Sequence, residues 1–110
     1  MRVENIVNAN GKSIANQFIL SGITANSMYD HTEGSTIELA SGEAFQSYST
    51  MIAYKDFRGN LYLDKKYWNY SPTTSRHRNT FTGLDTKETK KGIEAGEILL
   101  IDLNGADHNV

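Results

Sequence analysis

No cysteine occurs in this chain of 110 residues, and no part of it approaches the roughly 18 consecutive apolar residues of a membrane-spanning helix. The first absence excludes a disulfide framework, a thiol nucleophile and a cysteine-ligated zinc or iron–sulfur site. The N-terminus also lacks the basic-then-apolar layout of a signal peptide. We therefore expect a soluble, intracellular protein that makes no membrane contact.

An excess of charge of one sign is missing as well, because the net charge is −2. The distribution of charge is nevertheless uneven. Residues 1–50 carry two basic against five acidic residues, residues 51–91 carry nine against four, and residues 92–110 carry four acidic residues and no basic one. A basic middle between acidic flanks can present a cationic face, although such blocks are also typical of ordinary solvated surface. The length predicts a single domain over residues 1–110.

Short apolar runs separated by polar turns predict strands in the first half of the chain. Residues 3–7 and 14–20 are predicted to pair as a hairpin around the Asn- and Gly-rich turn at 8–12. Residues 21–44 are the least regular part, with one predicted strand at 36–39. We interpret this segment as an insertion or a partner-specific segment.

The clearest predicted hairpin runs from Phe45 to Asp64. Alternation at strand spacing places two sets of side chains on opposite faces. One set is Tyr48, Thr50, Ile52 and Tyr54, and the other is Ser47, Ser49, Met51 and Ala53. The turn is predicted at residues 56–60, where Gly59 can take a positive φ.

Two short helices are predicted after this hairpin. Ser71 is the predicted N-cap of the first helix, with Pro72 at its first position, and Thr73 or Thr74 is the alternative cap. Gly83 is the predicted C-terminal glycine. The second helix begins at residue 85 with an Asp–x–x–Glu capping box and ends at residue 96.

A nearly continuous apolar run at residues 97–103 predicts a final strand at the centre of the sheet. Residues 104–110 are predicted to be a frayed tail. Together the elements predict an α+β domain with a mostly antiparallel sheet, two short helices packed on one face and a C-terminal strand that returns to the sheet.

Aromatic and cationic residues are concentrated in residues 67–83, which contain the only tryptophan and the only proline of the chain. With other motifs in the same order, this segment resembles an uncharacterised small domain that recurs in phages and mobile elements of Gram-positive bacteria. The motifs that carry the resemblance are IANQFI (14–19), FQSYSTMIA (45–53), LYLD (61–64), YWNYS (67–71) and TTSRHRN (73–79). The resemblance covers residues 6–20 and 43–103. It departs at residues 21–42, which look like an insertion, and at Pro72, where an apolar non-proline residue is expected.

The resemblance brings no activity and no active site. It implies a context, since small phage or mobile-element proteins without enzymatic signatures are often modulators of host defence, including inhibitors of CRISPR–Cas effectors. The same context implies a location in the cytoplasm of the bacterial host. That implication is an association, not chemistry.

Catalytic chemistry finds little support in the sequence. Ser75 and His77 are two residues apart on a predicted helix and cannot face each other as nucleophile and base. His77 between Arg76 and Arg78 is similar to the cationic sites of small ribonucleases, but no second acid or base is fixed beside it. Metal ligands spaced as in residues 30–33 are commonplace in polar segments. We therefore predict no metal, no cofactor and no enzyme activity. A small nuclease that depends on His77 is the alternative that stays open.

Binding is the remaining role. Arginine and tyrosine are enriched at binding hot spots, and periodicity predicts Trp68, Tyr70 and Phe81 on the inside with the cationic groups outside. The predicted partner contacts are Arg76, His77, Arg78, Tyr29, Lys87, Lys90 and Lys91. We predict a non-enzymatic inhibitor that binds a host defence protein or ribonucleoprotein, namely a CRISPR–Cas effector nuclease. The alternative is a single-stranded nucleic-acid-binding phage regulator that uses the aromatic and basic residues of 67–91.

Overall fold

Ten secondary-structure elements follow one another in the computed structural model, which describes residues 1–30 and 33–105. They are β1 (Arg2–Val7), β2 (Ser13–Ile23), β3 (Asn26–Asp30), β4 (Ser35–Leu39), β5 (Gly42–Ser47), β6 (Thr50–Asp56), β7 (Leu61–Asp64), α1 (Pro72–Thr82), α2 (Thr86–Glu94) and β8 (Ile98–Ile101).

Six strands form one sheet in the order β1-β2-β5-β6-β7-β8. Every neighbouring pair is antiparallel except β7 and β8, which run parallel. The two helices follow the seventh strand, and the chain then returns to the sheet as β8. The predicted α+β class, with a mostly antiparallel sheet and a returning C-terminal strand, is confirmed.

The first predicted hairpin is confirmed in the pairing of β1 with β2. Its turn is closed by Asn8, whose side-chain oxygen accepts hydrogen bonds from the backbone N–H groups of Asn10 and Lys12. Gly11 supplies the positive φ that the turn requires.

The segment 21–44 is more regular than predicted. The strand expected at 36–39 is present as β4, but β3 pairs with it in a separate two-stranded sheet that the sequence did not reveal. The reason is compositional, because β3 reads Asn–Ser–Met–Tyr–Asp and has one aliphatic side chain, Met28, to mark its inner face. We refer to β3 and β4 as the hairpin layer.

The region from Phe45 to Asp64 contains three strands where two were predicted. The chain reverses at Tyr48 and Ser49, because Ser47 pairs with Thr50 and Tyr48 has a positive φ. The second turn, with Gly59 at positive φ, is confirmed between β6 and β7.

The predicted alternation along residues 47–54 is also wrong. Phe45 pairs with Ala53 and Gln46 pairs with Met51, so that Ile52 is left over as a β-bulge. The bulge turns both Ile52 and Ala53 toward one apolar cluster, whereas Tyr54 lies in the other. A bulge of this kind interrupts the alternation of side chains along a strand, and no residue type in the segment signals it.

Both helices begin as predicted, and α1 ends as predicted, whereas α2 ends at Glu94, two residues before its predicted end. The Ser71 hydroxyl accepts the backbone N–H of Thr74, and Gly83 ends α1 in the left-handed conformation. In α2 the Asp85 side chain accepts the N–H of Glu88, while the Glu88 side chain accepts the N–H of Asp85. This capping box fixes where α2 begins.

The two faces of the sheet are covered by different layers. On one face, Phe81 of α1 and Ile93 of α2 pack with Phe45 and Leu63 of the sheet. On the other, Leu39 and its neighbours in the hairpin layer pack with sheet residues that include Ala44 and Tyr54. The Tyr54 hydroxyl also donates to the carbonyl of Ala40.

The final strand β8 lies at the edge of the sheet and not at its centre. Ile98 and Leu100 face the cluster on the helix side, and Ile101 faces the cluster on the hairpin side. The strand is apolar because side chains on both of its faces pack against the core, although it pairs with a neighbouring strand on one side only. Leu99 is the exception on the strand, with 49% of its surface exposed. The chain beyond it is anchored where described, because the Asn104 side chain exchanges two hydrogen bonds with the backbone of Met51. The rest of the predicted tail, 106–110, lies outside the described residues.

Candidate functional site

The segment from Lys65 to Tyr70 links the sheet to α1 and is held by one buried carboxylate. Asp64, at the end of β7, accepts hydrogen bonds from the backbone N–H groups of Lys66 and Tyr67. Its other oxygen accepts the N–H of Leu103 beyond β8. These bonds fix the loop that delivers Trp68, Asn69 and Tyr70 to the N-cap of α1.

Arg78 is the centre of this region. Its side chain is fully buried, although it belongs to the residue type most often found at surfaces. One terminal nitrogen, Nη1, donates to the backbone oxygen of Trp68. The other, Nη2, donates to Asn79 Oδ1 at 2.9 Å and to Thr86 Oγ1 at 3.1 Å. The guanidinium carbon lies 5.1 Å from the centre of the Trp68 ring, a cation–π distance.

The acceptors around Arg78 are neutral. Among residues 1–30 and 33–105, no carboxylate forms an ion pair with it. Burial accordingly lowers the pKa of its guanidinium from the ordinary value. The Nε hydrogen has no acceptor among the described residues. Arg78 thus ties the loop, α1 and α2 together, and its positive charge is not neutralised locally.

A groove of about 520 Å³ lies over this network, between the N-terminal ends of the two helices. The residues that line it are Asn69, Tyr70, Ser71, Pro72, Ser75, Arg76, Asn79 and Thr86. Four of them, Asn69, Ser75, Asn79 and Thr86, also accept hydrogen bonds from Arg78. The buried guanidinium therefore lies directly behind the wall of the groove. We call this feature the helix-start groove.

The predicted site residues of α1 divide between surface and interior. Arg76 is exposed and lines the helix-start groove. Arg78 and His77 are buried, so the prediction that the cationic groups lie outside is wrong for Arg78. A contact between either buried side chain and a partner would require α1 to move. The burial of Arg78 could have been predicted from helical spacing, since Thr74, Arg78 and Phe81 follow at i, i+4 and i+7 and lie on one buried face.

The aromatic residues of the segment are also divided. Phe81 is buried as predicted, and Trp68 is partly buried against the apolar cluster on the helix side. Tyr70 was predicted to lie inside but is 44% exposed and lines the helix-start groove. Its ring packs edge-to-face on Tyr67, with 5.7 Å between the ring centres.

His77 is buried on the inner side of α1. Burial lowers the pKa of its imidazole, and the neighbouring Arg76 lowers it further. Both effects disfavour the charged form. His77 is therefore an interior histidine that favours the neutral state.

The remaining predicted contacts lie on other surfaces. Lys87, Lys90 and Lys91 are all exposed on α2. Lys91 lines a second groove, of about 600 Å³, together with apolar side chains that include Leu84 and Ile98. Tyr29 is exposed on β3, in the layer that covers the opposite face of the sheet. The structure thus separates Tyr29 from the helix residues.

Several residues of the groove were missed by the sequence analysis. Asn69, Asn79 and Thr86 are short neutral polar residues, and nothing in their type or spacing marks them as partners of an arginine. Their role follows from the burial of Arg78.

The metal site considered at residues 30–33 is not testable in full, because His31 and Thr32 lie outside the described residues. Asp30 Oδ1 accepts the backbone N–H of Glu33, which closes the turn of the hairpin layer. Within 1–30 and 33–105, no group of three potential metal ligands is found. No helix in the same part of the chain has the length and apolar character needed to cross a membrane.

Comparison with known proteins gives one family. A model of the family of unknown function DUF8033 matches residues 1–97. The chain belongs to this family. Neither curated proteins nor solved structures gave a match. The DUF8033 assignment agrees with an uncharacterised small domain, and its description names no activity, ligand or partner.

Proposed function

We propose that this DUF8033 protein acts by binding, without catalysis, and that it inhibits a host defence complex of the CRISPR–Cas effector class. The observation that supports a binding role is the row of exposed lysines on α2. Lys87, Lys90 and Lys91 follow one another at i, i+3 and i+4 and so lie on one side of the helix. The capping box fixes the start of α2, which presents these side chains at a defined spacing.

The contact set proposed for the partner is Arg76 together with these three lysines. Arg78 and His77, which the sequence predicted as partner contacts, are not included because both are buried. Tyr29 would belong to a separate contact on the hairpin layer. Exposed cationic side chains steer association with an acidic surface and fix its orientation more than they add affinity. The partner class comes from the resemblance to phage and mobile-element proteins, and the fold supplies the surface.

The proposal is tested by target-DNA cleavage with purified CRISPR–Cas effectors in the presence of this protein. We expect inhibition by the wild type and loss of inhibition by Lys87→Glu/Lys90→Glu/Lys91→Glu. The matched control is Arg2→Glu/Lys12→Glu/Arg58→Glu, which makes the same change in charge at exposed positions outside α2. Full cleavage with wild-type protein would remove the proposed partner class. Equal loss in both triple variants would remove α2 as the contact.

Single-stranded nucleic-acid binding is the second candidate function. The observation in its favour is the exposed Tyr70 beside Arg76, which combines an aromatic face with a cation. Affinity for a single-stranded oligonucleotide that falls steeply as salt rises would support it, and no binding at low salt would remove it.

A further inference from the structure

The helix-start groove has an unusual balance of hydrogen-bonding groups. Asn69 Oδ1 accepts the Ser75 hydroxyl at 2.9 Å and also a hydrogen of Arg78. Thr86 Oγ1 accepts from Arg78 at 3.1 Å and from Asn79 Nδ2 at 3.4 Å. The acceptor oxygens of the groove wall are therefore directed toward the buried guanidinium.

The groups that this network leaves over are donors. Asn69 keeps its Nδ2 hydrogens, because its oxygen is the atom fixed by Ser75 and Arg78. Thr86 keeps its hydroxyl hydrogen, and so does Ser71, whose oxygen already accepts the Thr74 N–H. Arg76 adds an exposed guanidinium that forms no ion pair with the described residues. These free donor hydrogens and the exposed guanidinium can together bind an anion.

The electrostatic surroundings point the same way. Ser71 is the N-cap of α1 and Thr86 is the first residue of α2, so the N-terminal ends of both helices border the groove, where the helix dipole favours an anion. Asn79, in the last turn of α1, lies on the same groove, and its oxygen accepts from Arg78. Behind the wall lies the buried Arg78, which forms no ion pair with residues 1–30 or 33–105 and whose Nε has no acceptor among them. Two carboxylates, Asp85 and Glu88, stand at the start of α2. They are engaged in the capping box, and neither lines the groove.

We propose that the helix-start groove binds the phosphate of a nucleotide, with Arg76 as the charged contact and Asn69, Ser71 and Thr86 as neutral donors. Tyr70, held edge-to-face by Tyr67 and exposed at the groove, offers its ring to the base. A volume of about 520 Å³ falls within the range of small-molecule sites and exceeds the needs of a lone phosphate ion. The nucleotide is either free or part of a single strand, since the phosphate chemistry is the same. This inference rests on the second candidate function, since both use Tyr70 and Arg76, and it shares only Arg76 with the contact set proposed for defence inhibition.

The test is an NMR titration of the full chain at low salt with inorganic phosphate, uridine 5′-monophosphate and hexauridylate. We expect shifts at the amides of residues 69–71, 76, 86 and 87, with tighter binding of the nucleotide than of phosphate. Arg76→Gln should weaken nucleotide binding roughly tenfold or more, as expected for a lost charged hydrogen bond. Arg58→Gln is the matched control at an exposed arginine of the β6–β7 turn and should bind as the wild type does.

Asn69→Asp gives the sharper variant. It keeps the oxygen that accepts from Arg78 and Ser75 but replaces the free amide donor by a second carboxylate oxygen. Thermal stability should be retained or raised, because the buried guanidinium gains a charged partner, while nucleotide binding should be lost. Asn26→Asp, exposed on β3 in the hairpin layer, makes the same change in charge and should leave binding unaltered.

The three ligands separate the sources of the nucleotide. Tighter binding of hexauridylate at the same residues identifies a strand, and equal binding identifies a free nucleotide; either result supports the site. Absence of shifts with all three ligands would overturn the proposal. Shifts centred on Lys90 and Lys91 that persist in Asn69→Asp would overturn it as well.

Discussion

Two segments were singled out by the sequence as contact regions, and they are held in the fold by different means. Residues 67–83 are organised around one buried cation that donates to the backbone of Trp68 and to the side chains of both helices. The hairpin layer is held by the pairing of its own strands and by a thin apolar seam on the sheet. The first region adds one buried cation to its cap and its apolar contacts, whereas the second spreads its support over many weak contacts.

This difference shows where the molecule tolerates change. A buried guanidinium is costly to place and specifies one arrangement of its acceptors, because an acceptor that loses its donor stays desolvated. The seam of the hairpin layer contains partly buried side chains such as Met28 and Ile37, each with a modest contribution. An ion pair between Lys65 and Glu33 joins the hairpin layer to the loop after β7. It lies at the surface, where ion pairs add little to folding stability. The hairpin layer is therefore the part that can vary most freely.

The largest effect is expected from removal of the buried cation. Arg78→Met keeps much of the side-chain volume but removes the Arg78 donor from the oxygens of Trp68, Asn79 and Thr86. We expect a loss of about 3–4 kcal/mol in the free energy of unfolding, measured with urea. Arg76→Met, two residues away and exposed, is the matched control and should change stability by less than about 0.5 kcal/mol.

Equal stability of the two methionine variants would contradict the contrast drawn between residues 67–83 and the hairpin layer. It would mean that the cost of burying the guanidinium cancels its hydrogen bonds, as happens in some buried ion pairs. The region 67–83 would then depend on apolar packing in the same way as the hairpin layer.

The next largest effect concerns the point where the hairpin layer rejoins the sheet. A Cβ at Gly42 would overlap the backbone oxygen of Lys55 and lie 2.7 Å from the Cα of Asp56. Gly42→Ala should therefore lower the free energy of unfolding by about 3 kcal/mol, because the backbone of β6 has to shift. Gly11→Ala is the control, since it meets open space and costs about 1 kcal/mol for its positive φ alone. A urea-unfolding difference that is equal for both would show that β5 and β6 adjust without strain.

The sequence predicted the features that depend on local chemistry. The Ser71 cap and the Asp85–Glu88 capping box each depend on residues only three positions apart, and the structure has both. The features it missed depend on distant neighbours. The bulge at Ile52 arises from pairing with β5, and the edge position of β8 arises from its parallel pairing with β7. The burial of Arg78 needs acceptors from a loop and a second helix, which no local pattern shows.

A smaller effect should distinguish the stability of the hairpin layer from that of the sheet. Ile37, partly buried against the sheet, is expected to cost about 1–2 kcal/mol when changed to alanine. Hydrogen exchange of the β3 and β4 amides should quicken in Ile37→Ala more than that of β5 and β6, because the layer opens as a unit. Glu38→Ala, the exposed neighbour on the same strand, is the control. Uniform quickening across all strands would show that the hairpin layer unfolds only with the whole molecule.

The smallest effect tests the interior of α1 by pH. Burial, and then Arg76, lowers the pKa of His77 in the folded protein. The unfolded chain therefore binds more protons near the ordinary histidine pKa of about 6.5, so the contribution of His77 to stability is complete above that pH and declines as the pH falls toward the folded value. In urea unfolding, the wild type should lose more stability than His77→Gln as the pH is lowered through this window. Since every other titrating group is common to the two proteins, a difference of the opposite sign would place His77 in contact with an anion. The segment 67–83 would then contain a charge pair in place of the neutral acceptors that distinguish it from the hairpin layer.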